Sequence, residues 1–176
     1  FYCYGDHRDL HPFPTRRSSH LTSSSTRISA PPKTSPAQVY PISGARTTAY
    51  AHAGTFTAAC GLVIYGGTAL PPAYHGNAFV CEPTGNLVHR DVLTRDGAAF
   101  VAARARDETE FLRATDAWFR PVFLANGPAG ALYLCDMYRE TIEHPIYLPP
   151  GVAEVTDFQA GKDRGRIYRI IGTGTN

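Results

Sequence analysis

Short apolar runs separated by turn-forming residues dominate the chain from residue 37 onward. Cys60-Gly61-Leu62-Val63-Ile64-Tyr65 is a continuous apolar run containing β-branched residues, which predicts a strand buried on both faces. Ala78–Glu82 and Leu87–Leu93 predict the next two strands, joined by the turn-forming Pro83-Thr84-Gly85-Asn86. Asp96-Gly97 predicts a tight hairpin. A fourth strand follows over Ala98–Arg106, where Phe100, Ala102, Arg104 and Arg106 alternate as on a half-exposed outer strand. The order then starts again. Phe119–Leu124 predicts an inner strand with Pro121 near its start, Asn126–Gly130 a turn, and Ala131–Cys135 a second strand. After a long loop, Asp136 to Arg164, Gly165–Ile171 predicts a third strand. Ala37–Ile42 is a further short β-prone run.

The second strands carry a repeated signature. Gly76-Asn77-Ala78-Phe79-Val80-Cys81-Glu82 returns 54 residues later as Gly130-Ala131-Leu132-Tyr133-Leu134-Cys135-Asp136. Leu87-Val88-His89-Arg90 and Arg166-Ile167-Tyr168-Arg169 echo each other after the two copies. Repeats of short strands at such a period are the mark of a β-propeller. The expected fold is therefore all-β: a partial β-propeller of about two four-stranded antiparallel blades over residues 36–171, the second lacking its outer strand. Two repeats cannot close a ring, so the missing blades of a longer parent chain are the expected partners. In such a blade the residue before the inner strand meets the residue after the second strand on one face. That places His52–Cys60 beside Cys81–Asn86, and Asp116–Arg120 beside Asp136–Pro145.

Composition changes the picture mainly at the ends. Only 18% of residues are charged, while Gly (16), Pro (14) and aromatics (10 Tyr, 9 Phe, 1 Trp) are plentiful, which suits strands and turns better than a helical bundle. No apolar run approaches the roughly 18–20 residues of a membrane span. Residues 1–35 hold seven Ser and no hydrophobic periodicity and are expected to form a disordered tail, as are residues 172–176. Phe13–Leu21 resembles a translated synthetic sequencing adaptor, Phe-Pro-Thr-Arg-Arg-Ser-Ser-Asp-Leu, in eight of nine positions. The segment to Leu21 is thus expected to carry no selected function. The charge of +2 belongs to this tail: Pro36–Asn176 holds 12 Lys+Arg and 13 Asp+Glu, a formal −1. Nucleic acid is accordingly not an expected partner. The chain does not open on Met and shows no signal peptide, so its natural start is expected elsewhere.

Nine short motifs, in order, carry a resemblance. They are Phe56–Leu62, Gly76–Pro83, Asn86–Arg90, Glu110-Phe111-Leu112, Asp116–Val122, Gly127–Tyr133, Asp136-Met137-Tyr138-Arg139, Ile142–Pro145 and Arg164–Arg169. Together they resemble a bacterial group of membrane-bound dehydrogenase-type proteins. The resemblance runs from about Ser35 to Ile171. Members are secreted and multidomain: a β-propeller similar to the soluble quinoprotein sugar dehydrogenases, then helical repeats, often with a c-type haem domain. It implies a secreted or periplasmic parent that oxidises a sugar or alcohol with the quinone PQQ and passes electrons to haem c. This stretch would bind no cofactor and be inactive alone. The alternative is a non-catalytic propeller module that binds carbohydrate or protein.

The densest polar cluster is Asp136-Met137-Tyr138-Arg139 with Glu143-His144-Pro145. In a functional reading His144 is the base or a ligand and Glu143 orients it. Arg120 and Arg139 hold an anionic group bidentately, with Asp136 and Tyr138 beside them. In the plainer reading these residues pin a long loop. Cys60 and Cys81 sit at the start of one strand and the end of its neighbour. In an oxidising compartment they form a disulfide that closes about 22 residues, worth roughly 3 kcal/mol; otherwise they are two buried thiols. Cys135 is expected to be buried and free. No Cys or His pair has metal-ligand spacing, so no metal is expected.

Overall fold

The computed structural model describes residues 37–44 and 54–173. The expectations for the tail, the adaptor-like segment and the last three residues lie outside these. Eight strands form two antiparallel sheets, neither closed into a barrel. The first contains β1 (Cys60–Ile64), β2 (Ala78–Glu82), β3 (Leu87–Asp96), β4 (Ala99–Arg104) and β5 (Leu112–Arg113). Its order is β1-β2-β3-β4, with β5 also on β3. The second contains β6 (Pro121–Asn126), β7 (Leu132–Asp136) and β8 (Arg166–Ile170), in that order. The chain is thus all-β, with every strand pair antiparallel and, among the described residues, no fourth strand on the second sheet.

The repeated signature falls on β2 and β7, as its spacing predicts. Cys81 pairs with Val88 and Cys135 with Ile167, so each second strand is flanked by its first and third. The β3–β4 hairpin closes through Gly97 and Ala98, since Asp96 faces Ala99. Gly97 has φ +58°, the left-handed conformation such a two-residue turn demands of its first residue.

Four expectations are corrected. The run Cys60–Tyr65 is not buried on both faces: Tyr65 is fully buried, but Leu62 and Ile64 are 66% and 46% exposed. β1 is an edge strand, and its side chains alternate between partly buried and exposed toward its end. β4 is exposed along most of its length, Phe100 and Val101 included, because the hairpin runs on past the end of β2. Residues 107–116, for which no element was expected, contribute β5, which completes the outer edge of β3 through Val88↔Leu112. Ala37–Ile42 forms no strand; it makes one bridge, Gln38↔Thr55.

The two sheets share one core. Tyr65, Phe79, Cys81 and Val88 of the first pack with Phe119, Leu124, Leu132 and Leu134 of the second. Each large side chain so buried contributes about 1.5–3 kcal/mol. Phe79 meets Phe111 edge-on at 4.8 Å and Tyr65 at 6.2 Å, geometries that favour aromatic pairs. The first strands of the two sheets, β1 and β6, lie side by side. Gly61 permits it: its φ is +61°, and a Cβ there would sit 2.8 Å from Val122 O and Phe123 Cα.

Candidate functional site

The seam between the sheets is stitched at both ends by side chains that reach main-chain atoms. At one end, Tyr65 Oη donates to Gly130 O at 2.5 Å and accepts from Leu70 N at 2.8 Å. Asn126 Nδ2 donates to Ile64 O at 2.8 Å, while its Oδ1 accepts from Gly66 N at 3.0 Å. At the other end, Asn86 Nδ2 donates to Ala117 O at 3.1 Å. Asn86 has φ +53°, a conformation Asn tolerates better than most residues.

This second end holds the cluster singled out in the sequence. Asp136 closes β7 with its side chain fully buried. Its Oδ1 accepts from the backbone N–H groups of Arg120 at 2.8 Å and Tyr138 at 2.9 Å. Its Oδ2 accepts from Arg166 Nη2 at 3.1 Å. Arg120, itself buried, spreads its guanidinium over three main-chain carbonyls: Nε to Arg139 O (3.0 Å), Nη1 to Pro83 O (2.9 Å) and Nη2 to Glu140 O (2.7 Å). Burial lowers its pKa from the ordinary value, against the opposing charges of Glu143, Asp136 and Asp116.

Tyr138, at φ +50°, lies under the Arg166 guanidinium at 3.8 Å and tilts against Trp118. Arg139 Nη1 turns back to the carbonyls of Met137 and Tyr138. The structure therefore brings Arg120, Asp136, Tyr138 and Arg139 together, with Glu143 in electrostatic range of Arg120. His144 stands apart and exposed, its Nδ1 accepting from Ile146 N at 3.2 Å as the cap of a short 3-10 turn, Pro145–Tyr147. No hydrogen bond joins Glu143 to His144 among the described residues. A single-turn helix, Val152–Val155, also breaks the long loop.

Could this cluster hold the quinone that the resemblance implies? A carboxylated quinone needs unspent guanidinium donors. Arg120 has committed Nε and both terminal nitrogens to backbone carbonyls, and Arg139 faces its own loop. The residues present do not fit that group.

The equivalent acid of the first sheet behaves like Asp136. Glu82, 1% exposed, accepts from Thr57 N at 3.2 Å, Thr57 Oγ1 at 3.0 Å and Ala58 N at 3.0 Å. Both acids of the repeat therefore fasten the segment leading into their own inner strand. Cys60 and Cys81 are register partners across β1 and β2, and both are free thiols, as is Cys135, which is half-buried rather than buried as expected. Burial raises the pKa of the Cys81 thiol strongly, helped by Cys60, Cys135 and Glu82.

Sequence reasoning missed a second buried charged network. His89 lies between two carboxylates, Nδ1 to Glu110 Oε2 at 2.6 Å and Nε2 to Asp91 Oδ1 at 2.8 Å. Both ring nitrogens face acceptors, so the ring is held as imidazolium. Burial pulls its pKa down, but the hydrogen bonds to Glu110 and Asp91 outweigh that and raise it. Glu110 also accepts from Arg104 Nη1 at 2.9 Å and from Tyr40 N at 3.1 Å. Burial raises the Glu110 pKa, and its His89 and Arg104 bonds lower it further than that. Phe56 covers the imidazole edge-on at 5.3 Å. One signal was available: Glu110 opens one of the nine motifs of the resemblance, although no partner could be read for it. Among the described residues no three His, Cys, Asp or Glu are placed to hold a metal, and no helix is long and apolar enough to cross a membrane.

No curated protein and no solved structure matches the chain. A family model does, over residues 4–173, a span that takes in Phe13–Leu21. Its description is "Domain of unknown function (DUF7133)". With nearly the whole length matched, the chain belongs to the DUF7133 family.

Proposed function

We propose that the chain forms two neighbouring blades of a β-propeller, and that its role is architectural within a larger secreted or periplasmic protein. One observation carries this reading: the two sheets are built alike and set with β1 beside β6. In each, the acid that ends the second strand fastens the segment entering the first, Glu82 on Thr57 and Ala58, Asp136 on Arg120. A blade repeat produces that arrangement. The exposed faces of Leu62, Ile64, Phe100 and Val101 are where further blades of the parent chain would pack.

By the nine-motif resemblance, the parent is a sugar or alcohol dehydrogenase-like oxidoreductase that passes electrons to haem c. The quinone site then lies on other blades, because Arg120 and Arg139 are spent on this loop. The same observation favours a second reading, a non-catalytic propeller that binds carbohydrate or protein. A quinone-dependent dye-reduction assay on the full-length protein, run over a panel of sugars and alcohols with added PQQ, separates the two. Turnover lost when the quinone is omitted supports the oxidoreductase. Absence of turnover with retained sugar binding supports the second reading. Turnover by residues 1–176 alone would contradict the architectural role.

A further inference from the structure

Among the described residues, two buried side-chain atoms lack a hydrogen-bond partner, Asn77 Oδ1 and Arg90 Nη1. The arginine is the more informative. A charged donor taken from water without an acceptor carries a penalty of about 1–3 kcal/mol or more, and such an atom points to a bound water or ion. Arg90 lies on β3 opposite Phe79, with its guanidinium carbon 4.1 Å over the Tyr74 ring. It borders a cavity of about 30 Å³, walled also by Tyr74, Arg106, Thr109, Glu110 and Phe111.

The charges around this cavity do not balance. Neither Arg90 nor Arg106 forms an ion pair among the described residues. The one acid in the wall, Glu110, is committed: Oε2 to His89, Oε1 to Arg104 and Tyr40 N. Asp107 and Glu108, next to Arg106, are exposed. A space of this size admits about two waters, or the oxygens of one carboxylate or phosphate group.

We propose that the cavity between Arg90 and Arg106 is an oxyanion site, which takes the carboxylate or phosphate group of a small ligand. Arg90 presents a buried, unpartnered Nη1 donor with its guanidinium carbon over the Tyr74 ring, and a guanidinium is the side chain best suited to meet a carboxylate or phosphate. Arg106 supplies a second positive charge at the rim. The site lies on the first sheet, apart from the Asp136 loop, and does not depend on the parent's activity.

Titration of isotope-labelled protein with sodium acetate or sodium phosphate, against sodium chloride at equal ionic strength, tests this by NMR. The expected result is saturable shifts at the Arg90 and Arg106 side-chain N–H groups and the Phe111 amide, with one or both oxyanions and not with chloride. The two arms separate a carboxylate ligand from a phosphate ligand. Arg106→Gln, at an exposed position, is expected to keep the fold and weaken binding roughly tenfold, and Arg90→Gln to abolish it. Should Arg90→Gln unfold the sheet, Arg106→Gln alone decides. Shifts that do not saturate, that chloride reproduces, or that Arg106→Gln leaves unchanged overturn the proposal.

Discussion

Glu82 and Asp136 hold the same post in their two sheets: each closes a second strand, is buried, and accepts hydrogen bonds from the backbone that leads into its own inner strand. Removing either carboxylate leaves N–H groups without their acceptors, buried at Arg120 and part-buried at Thr57, Ala58 and Tyr138. Glu82→Ala and Asp136→Ala are each expected to destabilise by about 2–4 kcal/mol. Hydrogen exchange should report the site as well as the loss: faster at Thr57 and Ala58 in the first variant, at Arg120 and Tyr138 in the second. Uniform loss of protection in both would argue against a local fastening role.

Arg120 joins the sheets through Pro83 and the loop through Arg139 and Glu140. Lysine keeps the charge but cannot span three carbonyls. Arg120→Lys is therefore expected to cost about 2–3 kcal/mol in urea unfolding, close to the cost of Arg120→Met. A lysine variant as stable as wild type would show that charge, rather than the three-way fork, is what matters there.

The His89 network fixes a pH dependence. The folded pKa of His89 is raised, so its stabilisation is fully present below the ordinary value of 6.5 and is lost as pH rises through the folded value. The folded pKa of Glu110 is lowered, so its stabilisation is present above the ordinary 4.5 and is lost as pH falls through the folded value. Stability from this network is expected to be greatest between about 4.5 and 6.5. His89→Gln should flatten the decline above 6.5 and also weaken the decline on the acid side, where only Arg104 is left to hold the Glu110 pKa down. Melting curves from pH 4 to 9 on both proteins check this, and an unchanged alkaline decline in the variant would count against it.

The thiols give a chemical test. Burial keeps Cys81, and less strongly Cys60, protonated, and a thiol alkylates slowly in that form. In reduced, folded protein at pH 8, iodoacetamide is expected to leave Cys81 unmodified for hours and to label it within minutes in urea. The same digest under oxidising conditions reads whether Cys60 and Cys81, which face each other across β1 and β2, join.

The strands were legible because β-branched and aromatic runs end at strong turn residues; Asp96-Gly97 and Pro83–Asn86 fall where the chain reverses. Burial was less legible. Cys60–Tyr65 has the composition of a two-sided core strand, yet Leu62 and Ile64 face outward, since what a strand packs against depends on neighbours its own residues do not name. β5 was missed because two residues give no period. At the candidate site, sequence proximity brought Asp136, Tyr138 and Arg139 into view but could not show that Arg120 spends its donors on carbonyls. His89, Arg104 and Glu110 are spread over 22 residues and three segments, so only folding reveals their network.

A crystal or cryo-EM structure of the full-length protein tests the two-blade arrangement most directly. The expected result is β1 and β6 as neighbouring innermost strands about one axis, with further sheets packed on Leu62, Ile64 and the β3–β4 hairpin. Two sheets closed face to face as a self-contained sandwich, or β1 and β6 turned away from a common axis, would contradict it.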